Sequence, residues 1–165
     1  LSNRASTVNL HIPIDENGIE HDASASIEDM DFKYSRDQLI SIKTLDSFKF
    51  DNISFIKMDV EGHEYNVIDG AKLLLRASKP ALLIEIEQRH NNKTIYDIFE
   101  KVLEFGYVGF FMTKGKLVAL KNFELSKHQD IASFEDSKKE YINNFIFLHE
   151  NKLANGDYNQ LVGEK

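Results

Sequence analysis

The sequence predicts an α/β domain organised around a buried strand near its middle. Residues 53–60 place apolar side chains at both odd and even positions, which is typical of a parallel-sheet strand covered on both faces. An amphipathic helix is predicted over about residues 64–77, and a second apolar strand over residues 81–87. A helix near 95–105 and a strand at 107–112 continue the alternation. Strands that alternate with helices indicate a parallel sheet with right-handed crossovers.

The chain divides into a core and two less regular flanks. Its 165 residues are enough for one domain with a substantial core. Residues 1–150 are predicted to form this domain. They comprise a β-rich irregular lead-in over 1–50, a βαβαβ core over 51–112 and terminal strands over 113–150. Residues 151–165 are predicted to be a flexible tail.

Composition argues against several classes of protein. The net charge of −7 disfavours general nucleic-acid binding, which needs clustered lysine and arginine. Without cysteine the chain has no disulfide framework, thiolate chemistry or zinc–thiolate site, and this fits a reducing compartment. No apolar run approaches the length of a membrane span. We therefore expect a cytoplasmic protein.

Several familiar catalytic motifs are missing from the sequence. Its eight glycines form neither a dinucleotide-binding nor a phosphate-binding loop. His63 and Glu64 begin like a metalloprotease helix, but no second histidine follows one turn later. No nucleophile elbow is present either. The zinc-protease and serine-hydrolase interpretations therefore fail.

Carboxylates gather where two predicted strands end. Asp59 and Glu61 follow the first strand, and Glu85 and Glu87 end the next one. Ligands of open α/β sheets bind just beyond the carboxyl ends of the strands. These side chains can instead cap a helix or neutralise its N-terminus. Carboxylate oxygens also suit Mg²⁺ or Ca²⁺, so metal assistance stays open, although no metal site is predicted.

Three sequence blocks around this cluster resemble a known family. They are Ile56-Lys-Met-Asp-Val-Glu-Gly-His-Glu64, Val67-Ile-Asp-Gly-Ala71 and Pro80-Ala-Leu-Leu-Ile-Glu85. Together they resemble the FkbM-type S-adenosylmethionine-dependent methyltransferases, from Leu1 to about Leu148. The resemblance implies a Rossmann-like class I methyltransferase sheet, mostly parallel with an antiparallel last strand.

One part of the family pattern has no counterpart in this sequence. Family members carry upstream a strand with a glycine-rich loop, and then a strand that ends in an acidic residue. Together these elements hold the cofactor. We therefore expect the chain to be the C-terminal half of the domain, lacking the N-terminal cofactor-binding strands.

The resemblance also implies an activity and a set of site residues. Methyl transfer from S-adenosylmethionine would go to a hydroxyl of a small-molecule or glycan acceptor. The candidate catalytic residues are Asp59, Glu61, His63 and Glu85, and Asp59 is also expected to face the cofactor. A histidine can act as a general base near neutral pH. The alternative is a non-catalytic remnant or assembly module, because family membership indicates fold more securely than activity. The chain alone is expected to be inactive.

The strand over Ile53–Val60 is expected to have an unpaired edge if the upstream strand is absent. Free N–H and C=O groups beside apolar side chains are a template for pairing with another chain. We therefore expect a homodimer, or pairing with a missing upstream segment, at this edge.

Two further expectations concern single side chains. Lys57 lies within the apolar strand, and burying an unpaired ammonium is costly, so it should reach Glu61, Glu85 or a similar carboxylate. The remaining histidines are expected at the surface: His11, His21, His90, His128 and His149.

Overall fold

The computed structural model describes residues 1–28, 32–130 and 140–163. Its strands are β1 (Ser6–Pro13), β2 (Ser35–Ile42), β3 (Phe55–Met58), β4 (Ala81–Glu85), β5 (Tyr107–Thr113), β6 (Lys116–Ala119) and β7 (Asn144–His149). Its helices are α1 (Glu64–Asp69), α2 (Lys72–Ser78), α3 (Ile95–Leu103), α4 (Leu125–His128), α5 (Glu150–Ala154) and α6 (Asn159–Val162). Short 3-10 turns cover Asp22–Ser24, Leu45–Phe48, Gln88–His90 and Leu120–Asn122.

The main sheet has five strands in the order β3-β4-β7-β5-β6, and β1 and β2 form a separate antiparallel pair. β3 and β4 are parallel, whereas β7 is antiparallel to both β4 and β5. β3, β4 and β5 therefore run in one direction. Among the described strands only the β3–β4 pair bonds in parallel, because β7 separates β4 from β5. The mixed α/β class and the antiparallel last strand agree with the prediction.

One face of the main sheet packs against helices and forms the core. Ile84 of β4, Phe145 and Phe147 of β7, and Phe111 of β5 are almost fully buried. The ring of Phe99, on α3, meets that of Phe145 edge-on, with centroids 4.7 Å apart. Such pairs add to the energy of apolar burial. A capping box between Thr94 and Asp97 begins α3.

The helix predicted over 64–77 is broken in two at Gly70. A Cβ atom on Gly70 would overlap the carbonyl oxygen of Ser2, so the chain approaches the N-terminal segment closely there. The carboxylate of Asp46 then accepts hydrogen bonds from the backbone N–H groups of Leu73 and Leu74, each at 3.0 Å. These bonds satisfy N–H groups that a new helix start leaves free. Contacts with the lead-in therefore interrupt the helix.

β3 is the edge strand of the main sheet, and this changes its environment. Phe55 is 56% exposed, whereas Met58 is buried. Within the described chain β4 is its only strand neighbour, and the exposure of Phe55 shows that one face of β3 is also poorly covered. The expectation that this strand is covered on both faces is therefore wrong for these residues.

The predicted flanks differ in how much regular structure they contain. The lead-in is β-rich, as expected, because it contains β1 and β2. The predicted tail contains helix α6 and most of α5. Residues 131–139, within the predicted terminal-strand region, and residues 164–165 lie outside the described part. In that described part, no helix combines the length and the apolar character needed to cross a bilayer.

Candidate active site

The carboxyl ends of β3 and β4 bring the predicted acidic residues to one edge of the sheet. Met58 is paired with Ile84 in the parallel register, so the segments that follow both strands leave the sheet side by side. The pKa of Glu85 is raised, first by burial and then by the negative charges of Asp59, Glu87 and Glu61. The acids separated in sequence therefore share one electrostatic environment.

Asp59 lies at the tip of β3 with one cationic partner. Nζ of Lys57 donates to its Oδ2 at 2.8 Å, and this hydrogen bond and the charge of Asp59 raise the pKa of Lys57. Both side chains are substantially exposed, at 53% for Lys57 and 39% for Asp59. Lys57 thus pairs with a carboxylate as expected, but not with Glu61 or Glu85. Its ammonium stays in water because Lys57 lies on the same exposed face of β3 as Phe55.

Glu61 lies in a tight turn that aims its side chain at His90. Its φ of 48° is left-handed, a region that side-chain-bearing residues rarely occupy, and Gly62 follows with a φ of 96°. Nδ1 of His90 lies 2.6 Å from Oε2 of Glu61. The hydroxyl of Ser26 donates to the backbone carbonyl of Glu61 at 2.7 Å. The turn is therefore held by contacts on two sides.

Glu85 and Glu87 end β4 in different environments. The amide of Asn143 donates to Oε1 of Glu85 at 2.7 Å and to Oε1 of Glu87 at 3.2 Å. Glu87 is buried, and its Oε2 also accepts from Arg89 at 2.6 Å and from Tyr141 at 2.9 Å. Burial alone would raise the pKa of Glu87, but these hydrogen bonds hold it below its usual value. Glu87 is thus a firmly held carboxylate, whereas Glu85 has no cationic hydrogen-bond partner in the described chain.

His63 is buried at the start of α1 and uses both of its ring nitrogens. Nδ1 lies within hydrogen-bond distance of Oε1 of Glu28, and Nε2 lies 2.8 Å from Oγ of Ser2. Through these contacts the histidine ties the N-terminal segment and the loop before β2 to the tip of β3. The ring also lines a cavity of about 220 Å³ that Asp59 borders. Its role as a general base stays a prediction, and its contacts favour a structural role.

Glu64 is buried behind the acidic turn. It is 1% exposed, and its Oε1 accepts a hydrogen bond from the backbone N–H of Gly62 at 3.1 Å. Its Oε2 has no hydrogen-bond partner among the described residues. Burial raises the pKa of this carboxyl group, which outweighs the hydrogen bonds that lower it. The group therefore favours its protonated form more than an exposed glutamate does.

The structure places several residues differently from what the sequence predicted. His90 was expected at the surface but is largely buried against Glu61. Asn143 was not singled out, although it precedes the antiparallel strand and so lies where the parallel strands end. The antiparallel direction expected for the last strand could have indicated that its first residues lie at this edge. His149 was also expected at the surface and is buried.

The open side of β3 carries an apolar cavity that reaches Asp59. Its volume is about 390 Å³, and its lining includes Leu45, Phe50, Phe55 and Met58. Separately, no cluster of three or more His, Asp or Glu side chains in residues 1–28, 32–130 and 140–163 is arranged to hold a metal ion. An apolar cavity therefore lies next to the negatively charged side chains at the tip of β3.

The fold places acidic side chains at the carboxyl ends of two parallel strands, and in open α/β enzymes ligands bind beyond those ends. The family model described as "Methyltransferase FkbM domain" matches residues 5–108, and the chain belongs to this family. The match covers Asp59, Glu61, Glu85 and His90 but ends before Asn143. No curated protein and no solved structure matches the chain. The family resemblance is thereby confirmed, whereas the position of the chain within the family domain stays a prediction.

Proposed function

We propose that this chain supplies the acceptor side of an S-adenosylmethionine-dependent methyl transfer to a hydroxyl group of a sugar or another small metabolite. The observation that carries the proposal is the meeting of carboxylates at the tips of β3 and β4 in a chain of the FkbM methyltransferase family. Ionised carboxylates accept hydrogen bonds but do not donate them. They therefore suit a ligand rich in hydroxyl donors.

Asp59 and Glu85 are the carboxylates placed to bind such an acceptor. Asp59 is exposed at the strand tip, and Lys57 compensates its charge. Glu85 is partly buried, and its Oε2 has no hydrogen-bond partner among the described residues. By contrast, Glu87 is buried and is held by three side chains, so it braces the site.

The residues of this chain fit only part of an S-adenosylmethionine site. The cofactor supplies a methyl group on a positively charged sulfur, which suits the negatively charged side chains at the tip of β3, and the apolar cavity beside β3 suits an aromatic base. The sequence, however, contains no glycine-rich loop for close backbone approach to such a ligand. These residues therefore do not make a complete cofactor site. The proposal concerns what they do toward the acceptor.

The test is methyl transfer by the protein as expressed from its own gene. The probe is methyl-labelled S-adenosylmethionine with a panel of sugars and polyols. Asp59→Asn should lower turnover by roughly tenfold or more, since it removes one charge-assisted hydrogen bond. We expect His63→Ala to lower turnover less, provided that both variants are folded. Asp51→Asn, at an exposed position before β3, is the matched control. No transfer to any hydroxyl acceptor, or the reverse order of the two variants, would contradict the proposal.

The second candidate is a non-catalytic assembly module. The open edge of β3 and the apolar cavity beside it favour this function. It predicts association through β3 without methyl transfer. The two candidates are therefore separated by measuring transfer and association on the same protein.

A further inference from the structure

We infer that His90, oriented by Glu61, is the general base that takes the proton from the acceptor hydroxyl. This role rests on the proposed function, and His90 was not among the residues predicted from the sequence. The imidazole and the carboxylate form a short pair, with 2.6 Å between Nδ1 and Oε2. The exposed fractions of the two side chains are 19% and 23%, so the pair is partly withdrawn from water but still reachable.

Backbone contacts fix both members of the pair: Glu61 in the turn after β3, and His90 in the turn after β4. On the β3 side, Glu61 is fixed in a left-handed conformation, and Ser26 holds its carbonyl. Backbone strain of this kind persists where surrounding contacts impose it, and it is concentrated at functional sites. On the β4 side, the backbone N–H of His90 donates to the carbonyl of Glu87 at 3.1 Å. Gly62 packs so closely that a Cβ there would overlap the carbonyl oxygen of His90.

Nε2 of His90 is unused within the described part of the chain. Among the described residues the one polar contact of its ring is that of Nδ1 with Glu61. His63, in contrast, has both ring nitrogens engaged. The acceptor atoms of His128 and His149 are also occupied, because each Nδ1 accepts from a nearby backbone N–H. Of these four histidines, His90 is the one at the strand tips with a ring nitrogen left for a ligand.

This arrangement has the chemistry of an oriented base. In this proposal the carboxylate of Glu61, 2.6 Å away, holds the proton of neutral His90 on Nδ1, and the lone pair therefore lies on Nε2. In the proposed step the acceptor O–H bond breaks and its proton forms a bond to Nε2. The electron pair of that O–H bond stays on the oxygen, which bonds to the methyl carbon. A methyl sulfonium donor, when bound, would supply the methyl carbon and would keep the electrons of the broken C–S bond as a thioether. The carboxylate of Glu61 stabilises the imidazolium that results.

Two measurements on different properties test this role. The first is ¹⁵N NMR of the imidazole of His90 at pH about 8.5, where an ordinary histidine is neutral. We expect the Nδ1–H tautomer in the unmodified chain and its loss in Glu61→Ala, whereas Glu61→Gln, which keeps an acceptor oxygen, should retain it. Glu16→Ala, which removes an exposed carboxylate, is the control and should change nothing. The Nε2–H tautomer in the unmodified chain would overturn the inference.

The second measurement is methyl transfer by the protein expressed from its own gene. His90→Gln should lower kcat by about 100-fold or more with a smaller change in KM. His11→Gln removes a comparable imidazole–carboxylate pair, with Asp37, on the β1–β2 hairpin and should leave kcat unchanged. If the unmodified protein transfers methyl groups and His90→Gln retains full kcat, the role of His90 is wrong while the proposed function stands. If the unmodified protein transfers none, the proposed function fails and the catalytic role fails with it.

Discussion

Asn143 and Glu85 are joined by a 2.7 Å hydrogen bond from the side-chain amide to the carboxylate. The same amide nitrogen lies 3.2 Å from Oε1 of Glu87. A single neutral donor therefore bridges two carboxylates at the end of β4. It can do so because β7 is antiparallel and begins at the edge where β4 ends.

Asn143→Asp should destabilise the fold at neutral pH. The substitution keeps the size of the side chain but replaces a shared donor with a third negative charge. We expect a loss of about 2 kcal/mol in the free energy of unfolding at pH about 8, and a smaller loss at pH about 4 where carboxylates take up protons. Denaturant unfolding at both pH values is the measurement. Asn122→Asp, at an exposed position after β6, should show little change. Equal stability of Asn143→Asp and the unmodified chain at neutral pH would show that the bridge is unimportant.

Gly62→Ala should be much more damaging than Gly18→Ala. Both glycines have left-handed backbones, with φ of 96° and 80°. At Gly18 nothing lies within 4 Å of an added Cβ, so only the conformational cost of about 1–2 kcal/mol applies. At Gly62 the added carbon would also overlap the carbonyl of His90. Thermal or denaturant unfolding of both variants compares the two costs, and similar losses would mean that the close approach has little energetic weight.

Glu64→Gln should stabilise the protein at neutral pH. Burial raises the pKa of Glu64, so the folded state holds this proton more tightly than the unfolded chain does. The resulting stability is present below the ordinary pKa of a glutamate and is lost as pH rises through the raised folded-state value. Glutamine is neutral at every pH and can still accept from the N–H of Gly62. We therefore expect little difference at pH about 4 and a gain of roughly 1 kcal/mol at pH about 8.

The matched control for Glu64→Gln is Glu100→Gln, at an exposed position on α3. Its unfolding free energy should follow that of the unmodified chain across the same pH range. A loss of stability in Glu64→Gln at neutral pH would mean that the ionised carboxylate is the form that the fold requires.

Local patterns predicted the main elements of the fold, and long-range contacts account for what they missed. The strand before Asp59 and the strand that ends at Glu85 were predictable from apolar runs bounded by charges. The break at Gly70 depends on Ser2 and Asp46, which are distant in sequence, so helical periodicity could not reveal it. The exposure of Phe55 depends on which elements pack over that face of β3, and an apolar run in the sequence does not determine that.

For the candidate site, the sequence predicted the positions of the carboxylates but not the environments of the histidines. The positions of Asp59, Glu61 and Glu85 at the strand tips were predictable because strand-end carboxylates are visible in the sequence, and their roles stay predictions. His63 and His90 are both histidines that follow a strand-end carboxylate in the sequence. Their environments differ only because they contact different residues elsewhere in the fold. His63 meets Ser2 and Glu28, while His90 keeps one ring nitrogen without a described partner. Sequence spacing could not distinguish these two environments.

The 165-residue chain should bind S-adenosylhomocysteine weakly or not at all. The sequence lacks the glycine-rich loop and the ribose-holding acid that the family resemblance calls for, and close backbone approach to such a ligand requires glycine. Isothermal titration calorimetry with S-adenosylhomocysteine is the measurement. A micromolar Kd would contradict the prediction. In that case Asp59→Asn would show whether the ligand lies at the tip of β3.

The last prediction concerns association through the open edge of β3. Its backbone N–H and C=O groups on the side away from β4 have no strand partner in the described chain. Beside this edge Phe55 is more than half exposed, and the rings of Phe48 and Phe50 stack with centroids 5.5 Å apart. Backbone pairing groups next to exposed aromatic rings favour a second copy of the chain as the partner. We therefore expect association that increases with protein concentration.

Phe55→Lys should shift this equilibrium toward the monomer without unfolding the chain. Phe55 is already exposed, so its replacement removes little core packing, whereas a lysine on an edge strand opposes pairing by charge repulsion and by retaining its water. Leu73→Lys, at a 70% exposed position on α2, makes the same kind of change away from the edge and should leave association unaltered. Sedimentation equilibrium of the three proteins over a range of concentrations is the measurement. If the unmodified chain is monomeric throughout, or if both lysine variants weaken association equally, β3 is not the contact surface, because only one of the two substitutions lies on it.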